Sequence, residues 1–288
     1  MKVLVLGGRG QVATAVAATA PPGHEAMLRS REELDITDAP AVERALRESG
    51  AAWIVNGAAY TAVDLAEDEP AKAAAINDTA VGVLAAGARR SGARLLHLST
   101  DFVFDGRSSR AYRPDDAPNP LSVYGTGKLG GERRVLEAGA EGVVLRTAWV
   151  YASRGRNFAL TMLKLMREKE RLAVVCDQIG TPTWASGIAA AIWGLIDAQV
   201  PGGIYHWTDL GVASWYDFAV AIQEEALVRG LLARPVPIAP IATTEYPTRA
   251  RRPAFSVLDT AATRAIIASP ARHWRQNLRM MLDELRAR

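Results

Sequence analysis

The chain has 288 residues, 49% hydrophobic and 23% charged, with a formal net charge of +3, the balance of a soluble globular protein with a sizeable core. Lys and Arg are mixed with Asp and Glu, apart from TRARR at 248–252, so the long basic stripe of a nucleic-acid binder is missing and no nucleic-acid partner is expected. One cysteine, Cys176, excludes an internal disulfide framework; four scattered histidines give no metal-ligand spacing, and no apolar run reaches the roughly 18 residues of a membrane span. A cytoplasmic protein without membrane contact is expected, and Cys176, after RLAVV, reads as a small core residue near a strand end.

KVLVLGG at the start is a short apolar run ending in glycine and predicts a buried strand. QVATAVAATA predicts a helix, stopped by Pro21, Pro22 and Gly23. HEAML predicts a second strand, APAVERALRESG a helix with a glycine stop, and AAWIVNGAA a third strand. EPAKAAAINDTAVGVLAAGARRSG predicts one long helix, ARLLHLSTDFVF a fourth strand, SVYGTGKLGGE a helix-like run, and GVVLRTAWVY a fifth strand. Strands alternating with helices predict an α/β fold, a doubly wound parallel sheet of Rossmann-like type covered on both faces. After about residue 150, helices predicted at 156–170 and 184–198 alternate with short strands LAVVC and GGIYHWT, and Trp and Pro become frequent. The expected organisation is a dinucleotide-binding domain over 1–150, with some later segments returning to it, and a mainly substrate-binding lobe over 151–288.

GGRGQVA (7–13) follows the first strand and opens the first helix, as a dinucleotide-binding turn must. Gly7 permits the tight turn, Gly10 lets the backbone approach a pyrophosphate at the helix N-terminus, and Ala13 is small enough for close helix–strand packing. An acid at the end of the second strand would hold the ribose hydroxyls of NAD; MLRSRE places Arg29 and Ser30 there instead. Arg29 is either a solvated loop charge or the partner of a 2′-phosphate, and it tilts the cofactor toward NADPH, with NADH as the alternative.

Tyr124 and Lys128 lie four residues apart, one helical turn on the same side. A free phenol titrates near pH 10, and a neighbouring ammonium lowers that value by favouring the phenolate, so Tyr124 is a candidate proton donor to a carbonyl oxygen and Lys128 its tuner. Lys128 can also hydrogen-bond a nicotinamide ribose. HLSTD (97–101) ends the fourth strand where doubly wound sheets place ligands, and the Thr100 hydroxyl can donate a second hydrogen bond. The order of glycine turn, Ser-Thr and YxxxK resembles the extended short-chain dehydrogenase/reductase family.

The segments NGAAYTAVDLAEDEPAKAAAIN, STDFVFDG, YGTGKLGGE, LRTAWVYASRGRNFALTML, DQIGTPTWA and EYPTRARRPAFSVLDT narrow the likeness, across nearly the whole chain, to the dTDP-4-dehydrorhamnose reductase family. That resemblance implies NAD(P)H-dependent reduction of the 4-keto group of dTDP-4-dehydro-L-rhamnose. It implies cofactor positions at Gly10, Gln11, Val12, Asp35, Ile36, Ala59, Tyr60 and Thr61, and sugar-facing positions at Thr100, Asp101 and Trp149. Val103 of the STDFVF run, Asn157 and Phe158 after the fifth strand, and Arg252 beside Arg249 and Arg251 complete the expected substrate side; arginine forks suit a diphosphate. Ala15 stands where some members of the family carry a glutamate of a magnesium-bridged dimer, and the neighbouring IWGLIDAQV offers only Asp197, so no metal and a monomer or weak homodimer are expected. Competing expectations are an epimerase or dehydratase acting on nucleotide-sugars, and a non-catalytic dinucleotide-binding regulatory subunit.

Overall fold

Successive side chains of a strand point to opposite faces, and the short first strand, β1 (Lys2–Leu6), uses both. Val3 and Val5 enter one apolar cluster and Leu4 and Leu6 another, so the strand is buried on both sides. The computed structural model describes residues 1–139, 141–267 and 271–288. β1 is followed by α1 (Gln11–Ala18), β2 (Glu25–Arg29), α2 (Ala39–Ser49) and β3 (Trp53–Asn56). A short α3 (Val63–Ala66) leads to α4 (Pro70–Ala74), a π-helical turn at Ala75–Thr79 and α5 (Ala80–Ser91). Then come β4 (Arg94–Thr100), a 3-10 turn at Asp101–Val103, α6 (Val123–Glu137) and β5 (Gly142–Thr147).

The second half contains β6 (Val150–Tyr151), α7 (Phe158–Glu168), β7 (Leu172–Val175), β8 (Ile179–Gly180), β9 (Thr183–Trp184) and α8 (Ala185–Asp197). It continues through β10 (Gly203–His206), β11 (Ala213–Ser214), α9 (Trp215–Val228), β12 (Ile238–Ile241), α10 (Ala261–Ile266) and α11 (Trp274–Arg286). Among the described residues no helix is long and apolar enough to cross a membrane.

Six strands form one parallel sheet in the order β10-β5-β4-β3-β1-β2. Val12 and Val16 of α1 and Ile188, Ile192 and Leu195 of α8 cover one face; Val42 and Leu46 of α2 and Leu84 of α5 cover the other. The order reverses between β1 and β3, and this switch point opens a crevice at the carboxyl ends of the strands. A separate cluster, with Tyr151, Leu163, Phe218, Ile222, Leu278 and Leu282 at its centre, holds α7, α9 and α11 together. The doubly wound parallel sheet expected from the sequence is present. GGIYHWT joins it as the edge strand β10 and α8 packs on α1, the Trp193 indole donating to Val16 O at 3.1 Å.

Three elements differ from expectation. The fifth strand stops at Thr147 because Trp149 takes a left-handed backbone, φ 46°, before β6 resumes. That conformation is costly for a bulky residue and is held here by the stacking of its indole on Trp215. The fourth strand ends at Thr100, whose hydroxyl caps the 3-10 turn by accepting from Phe102 N at 3.2 Å. The long helix is broken by the π-turn, where one extra residue per turn swings Asn77 inward. Asn77 Oδ1 accepts from Tyr60 N at 2.8 Å and its Nδ2 donates to Tyr60 O at 3.0 Å.

Candidate active site

Gly7, at φ +88°, turns the chain out of β1 so tightly that a side chain would lie 2.7 Å from the backbone of Gly57 and Ala58. Only glycine allows both the conformation and the approach. Gly10 then caps α1, leaving its first N–H groups directed at the crevice. Gly7, Gly10, Asp35, Ile36, Ala59 and Thr61 line one groove of about 270 Å³. Asp35 is held below the usual carboxylate range by the Thr37 N–H and hydroxyl and, more weakly, by Arg31.

Of the expected cofactor residues, Gln11, Val12, Arg29, Tyr60, Tyr124 and Lys128 do not line this groove. Val12 is in the core, with only its backbone at the helix start. Tyr60 is turned away: its backbone N–H and C=O are bonded to Asn77 and its hydroxyl donates to Glu69 Oε2 at 2.6 Å. Arg29 does not line the groove. β2 runs on through it, its carbonyl accepting from Gly8 N at 2.8 Å, and its guanidinium donates to Leu28 O. The arginines at the groove are Arg9 and Arg31, paired with Glu32 and Asp35 at 3.0 and 3.2 Å. A glycine cradle beside free helix N–H groups, with two arginines at its rim, fits a dinucleotide with an extra phosphate.

Beyond β4 and β5 a second cavity, about 360 Å³, is lined by Thr100, Asp101, Tyr124, Trp149, Phe158 and Arg252. Trp149 stacks on Trp215 with ring centres 3.4 Å apart and planes at 1°, making a flat aromatic wall. Asp101 Oδ2, Thr147 Oγ1 and Arg252 Nε are buried without a well-formed hydrogen bond, and all three residues line this cavity. Unpaired buried polar atoms converging on one space call for a polar ligand. For Asp101 the neighbouring Ser256 hydroxyl is near enough to lower its pKa, but burial is the larger influence and pushes it up to about 6. Its other oxygen accepts from Thr100 Oγ1 at 3.0 Å.

Ser122 caps α6, accepting from Gly125 N at 3.1 Å, and so fixes the turn that carries Tyr124. The Tyr124 ring meets Phe102 edge-on at 5.8 Å. The sequence reading expects Lys128 to lower the phenol's pKa; in the structure burial raises it to about 12, the Asp101 charge adds to that, and the Thr100 hydroxyl opposes it. Lys128 is itself buried, with its pKa pushed down to about 8 by desolvation while Glu132 acts the other way. Its Nζ is directed into the protein, donating to Leu98 O at 2.6 Å and lying 3.1 Å from His97 Nε2.

The remaining expected substrate residues divide. Arg252 lines the cavity and is anchored by Asp64 at 2.8 Å; Arg249 pairs with Asp68, and Arg251 is exposed. Val103 is fully buried with Phe104, Tyr112, Leu129 and Leu258, because the 3-10 turn rotates it into that cluster and leaves Phe102 at the cavity. Asn157 is consumed structurally, capping α7 by accepting from Leu160 N at 3.0 Å and donating to Gln11 Oε1 at 2.8 Å. It therefore clamps the second half of the chain to the glycine turn, while Arg156 and Phe158 face the cavity. Gln11 lines that cavity rather than the dinucleotide groove. Sequence reasoning missed Asn56, Asn77, His97, Trp215 and the buried Glu132–Arg146 pair. The polar His97 inside the apolar run ARLLHL was the one local signal for these. Among the described residues no three His, Cys, Asp or Glu converge as metal ligands, and Asp197 pairs with His24 at 2.9 Å.

A parallel sheet with a glycine turn at its switch point, a threonine closing β4, and tyrosine and lysine one turn apart on the next helix defines a short-chain dehydrogenase/reductase. A family model described as the RmlD substrate binding domain matches residues 1–287. The chain is 39% identical to a dTDP-4-dehydrorhamnose reductase of Burkholderia thailandensis, with 99% of each covered. It is 38% identical to the spore coat polysaccharide biosynthesis protein SpsK of Bacillus subtilis, covering 98% of this chain and 97% of that one. The crystal structure of a Bacillus anthracis dTDP-4-dehydrorhamnose reductase in complex with NADP superposes with a TM-score of 0.93 at 31% identity, covering 98% of this chain and 99% of that one. The chain belongs to the RmlD substrate binding domain family.

Proposed function

We propose that this chain reduces the 4-keto group of dTDP-4-dehydro-L-rhamnose, giving dTDP-L-rhamnose, with NADPH as the reductant. The observation that carries the reading is that Thr100 and Tyr124 share one cavity with the Trp149 wall and Arg252, beside the glycine-cradled groove. Reduced nicotinamide, when bound, supplies the hydride. Tyr124 supplies the proton: its phenol, pushed up to about 12 by burial, is protonated at neutral pH, the state a donor must start from. The Thr100 hydroxyl, turned from Asp101, donates a second hydrogen bond to the carbonyl oxygen. The Lys128 cation one turn along offsets the charge left on the phenolate. Trp149, Trp215 and Phe158 give the ligand an apolar wall and exclude water, and Arg252 is placed for a diphosphate, its Nε free to donate.

The test is NADPH oxidation against a panel of nucleotide-linked 4-keto sugars. Oxidation with dTDP-4-dehydro-L-rhamnose is expected; oxidation only with another sugar reassigns the substrate, and none with any supports the regulatory-subunit alternative. Because Arg31 and Arg9 stand at the groove and Arg29 does not, Arg31→Ala should lower the ratio of kcat/KM for NADPH over NADH by about tenfold, the scale of one charge-assisted hydrogen bond. Arg29→Ala should leave the ratio unchanged; the reverse pattern would return the role to Arg29. Ala15 packs against the cluster joining α1 to α8 and supplies no carboxylate, which supports a metal-independent monomer or weak homodimer. EDTA is therefore expected to change neither turnover nor sedimentation mass, and a loss restored by magnesium would overturn that. Free Cys176 fits a reducing, cytoplasmic setting.

A further inference from the structure

Below Tyr124 lies a buried polar chain that the chemistry above leaves unused. Asn56, at the end of β3, is fully buried, and its Oδ1 accepts from the backbone N–H of Ala58 at 3.1 Å. A backbone N–H cannot reverse its role, so this contact fixes which end of the amide is which. Asn56 Nδ2, a donor, then faces His97 Nδ1 at 3.0 Å, and that ring nitrogen must be the bare acceptor. A neutral imidazole carries one proton, which must sit on Nε2, 3.1 Å from Lys128 Nζ. His97 is fully buried beside a lysine, and both influences hold it neutral, far below its ordinary titration range.

We propose that His97 is a positioning residue for Lys128: locked by Asn56 as the Nε2–H tautomer, it donates to the lysine nitrogen and favours its amine form. An ammonium needs acceptors around it; Leu98 O is one, whereas His97 Nε2–H is a second donor. The His97 donor thus acts in the same direction as burial, which brings the Lys128 pKa down to about 8. The other charged groups near it act differently. Glu132, one turn further along α6, favours the ammonium, but its carboxylate is bound by Arg146 of β5 and by Ser99. Tyr124, one turn earlier, and Asp101 beyond the end of β4 adjoin the cavity. Asp78 of the π-turn pairs with Arg134 at 2.9 Å and Lys72 of α4 with Glu69 at 3.0 Å, both at exposed positions.

The functional half of the inference rests on the role proposed for Lys128 beside Tyr124; the tautomer does not. The first measurement is therefore the 15N spectrum of histidine-labelled protein, with His97 assigned by its loss in His97→Gln. A protonated Nε2 and a bare Nδ1 across neutral pH are expected; a protonated Nδ1, or a charged ring, overturns the proposal. The second is the pH profile of kcat/KM. If the Lys128 ammonium is the active form, turnover falls as pH rises through the value near 8 at which the lysine loses its proton. Loss of the His97 donor in His97→Leu should move that limb upward by about one pH unit, the scale of one hydrogen bond to the neutral form. Asn56→Asp keeps an acceptor for Ala58 N but presents a second acceptor to His97, so the ring should switch to Nδ1–H and the limb again move up. An Nε2–H ring with an alkaline limb unmoved in every active variant overturns the positioning role. A wild-type protein with the expected tautomer and no reductase activity would instead overturn the functional reading.

Discussion

Tyr124→Phe is expected to lower kcat by roughly 10²- to 10⁴-fold, the span that general acid catalysis contributes. The substitution removes the phenol proton from the cavity that Tyr124 shares with Thr100, and Lys128 Nζ, directed to Leu98 O, is not placed to replace it. The fold should be spared: the ring keeps its edge contact with Phe102, and the hydroxyl's polar neighbour is Thr100, itself a residue of the cavity. Stopped-flow reduction with the natural cofactor, together with cofactor titration and thermal melting, separates loss of chemistry from loss of binding or folding. Unchanged binding and melting with near-normal turnover would remove Tyr124 from the mechanism.

The parts of the fold legible in the sequence were those fixed by local pattern. Apolar runs of four to seven residues separated by helical stretches gave β1, β3 and β4 because the interior of a parallel sheet buries both faces of a strand. Gly7 was legible because a left-handed turn and a close backbone approach admit no other residue. Where a side chain goes depends on direction rather than pattern. Trp149 continues an apolar run, so nothing local announces that its backbone turns left-handed to lay the indole on Trp215, 66 residues later. Val103 and Phe102 are equally apolar, and only the 3-10 turn decides which one meets the cavity. Arg29 and Arg31 differ by two positions, and the length of β2 selects between them. Asn157 looked like a ligand because it is polar beside a site; tertiary packing uses every face of its amide.

The same limitation hid the pair on which α6 depends, and it leads to the second large effect. Glu132 and Arg146 are each 1% exposed and joined at both carboxylate oxygens, Nε to Oε1 at 2.9 Å and Nη2 to Oε2 at 2.7 Å. Ser99 donates to the same carboxylate, and the guanidinium lies over the Phe104 ring at 5.0 Å. The pair thus ties the helix bearing Tyr124 and Lys128 to β4 and β5. Two buried charges in mutual contact add little against well-packed apolar residues, but removing one strands the other without water. Glu132→Leu should therefore destabilise the protein by about 3 to 5 kcal/mol, a large share of the roughly 5 to 15 kcal/mol of a typical domain. The melting temperature should fall by about 10 °C. Adding Arg146→Met should recover most of that loss, because no unpaired guanidinium then remains. A single substitution costing under about 1 kcal/mol, or a double no more stable than the single, would show that the network is solvated in solution. Glu132 also favours the Lys128 ammonium, so its loss should move the alkaline limb of kcat/KM downward in whatever fraction stays folded. That is opposite to the shift expected of His97→Leu, and the opposed signs separate an electrostatic effect on Lys128 from a general loosening of α6.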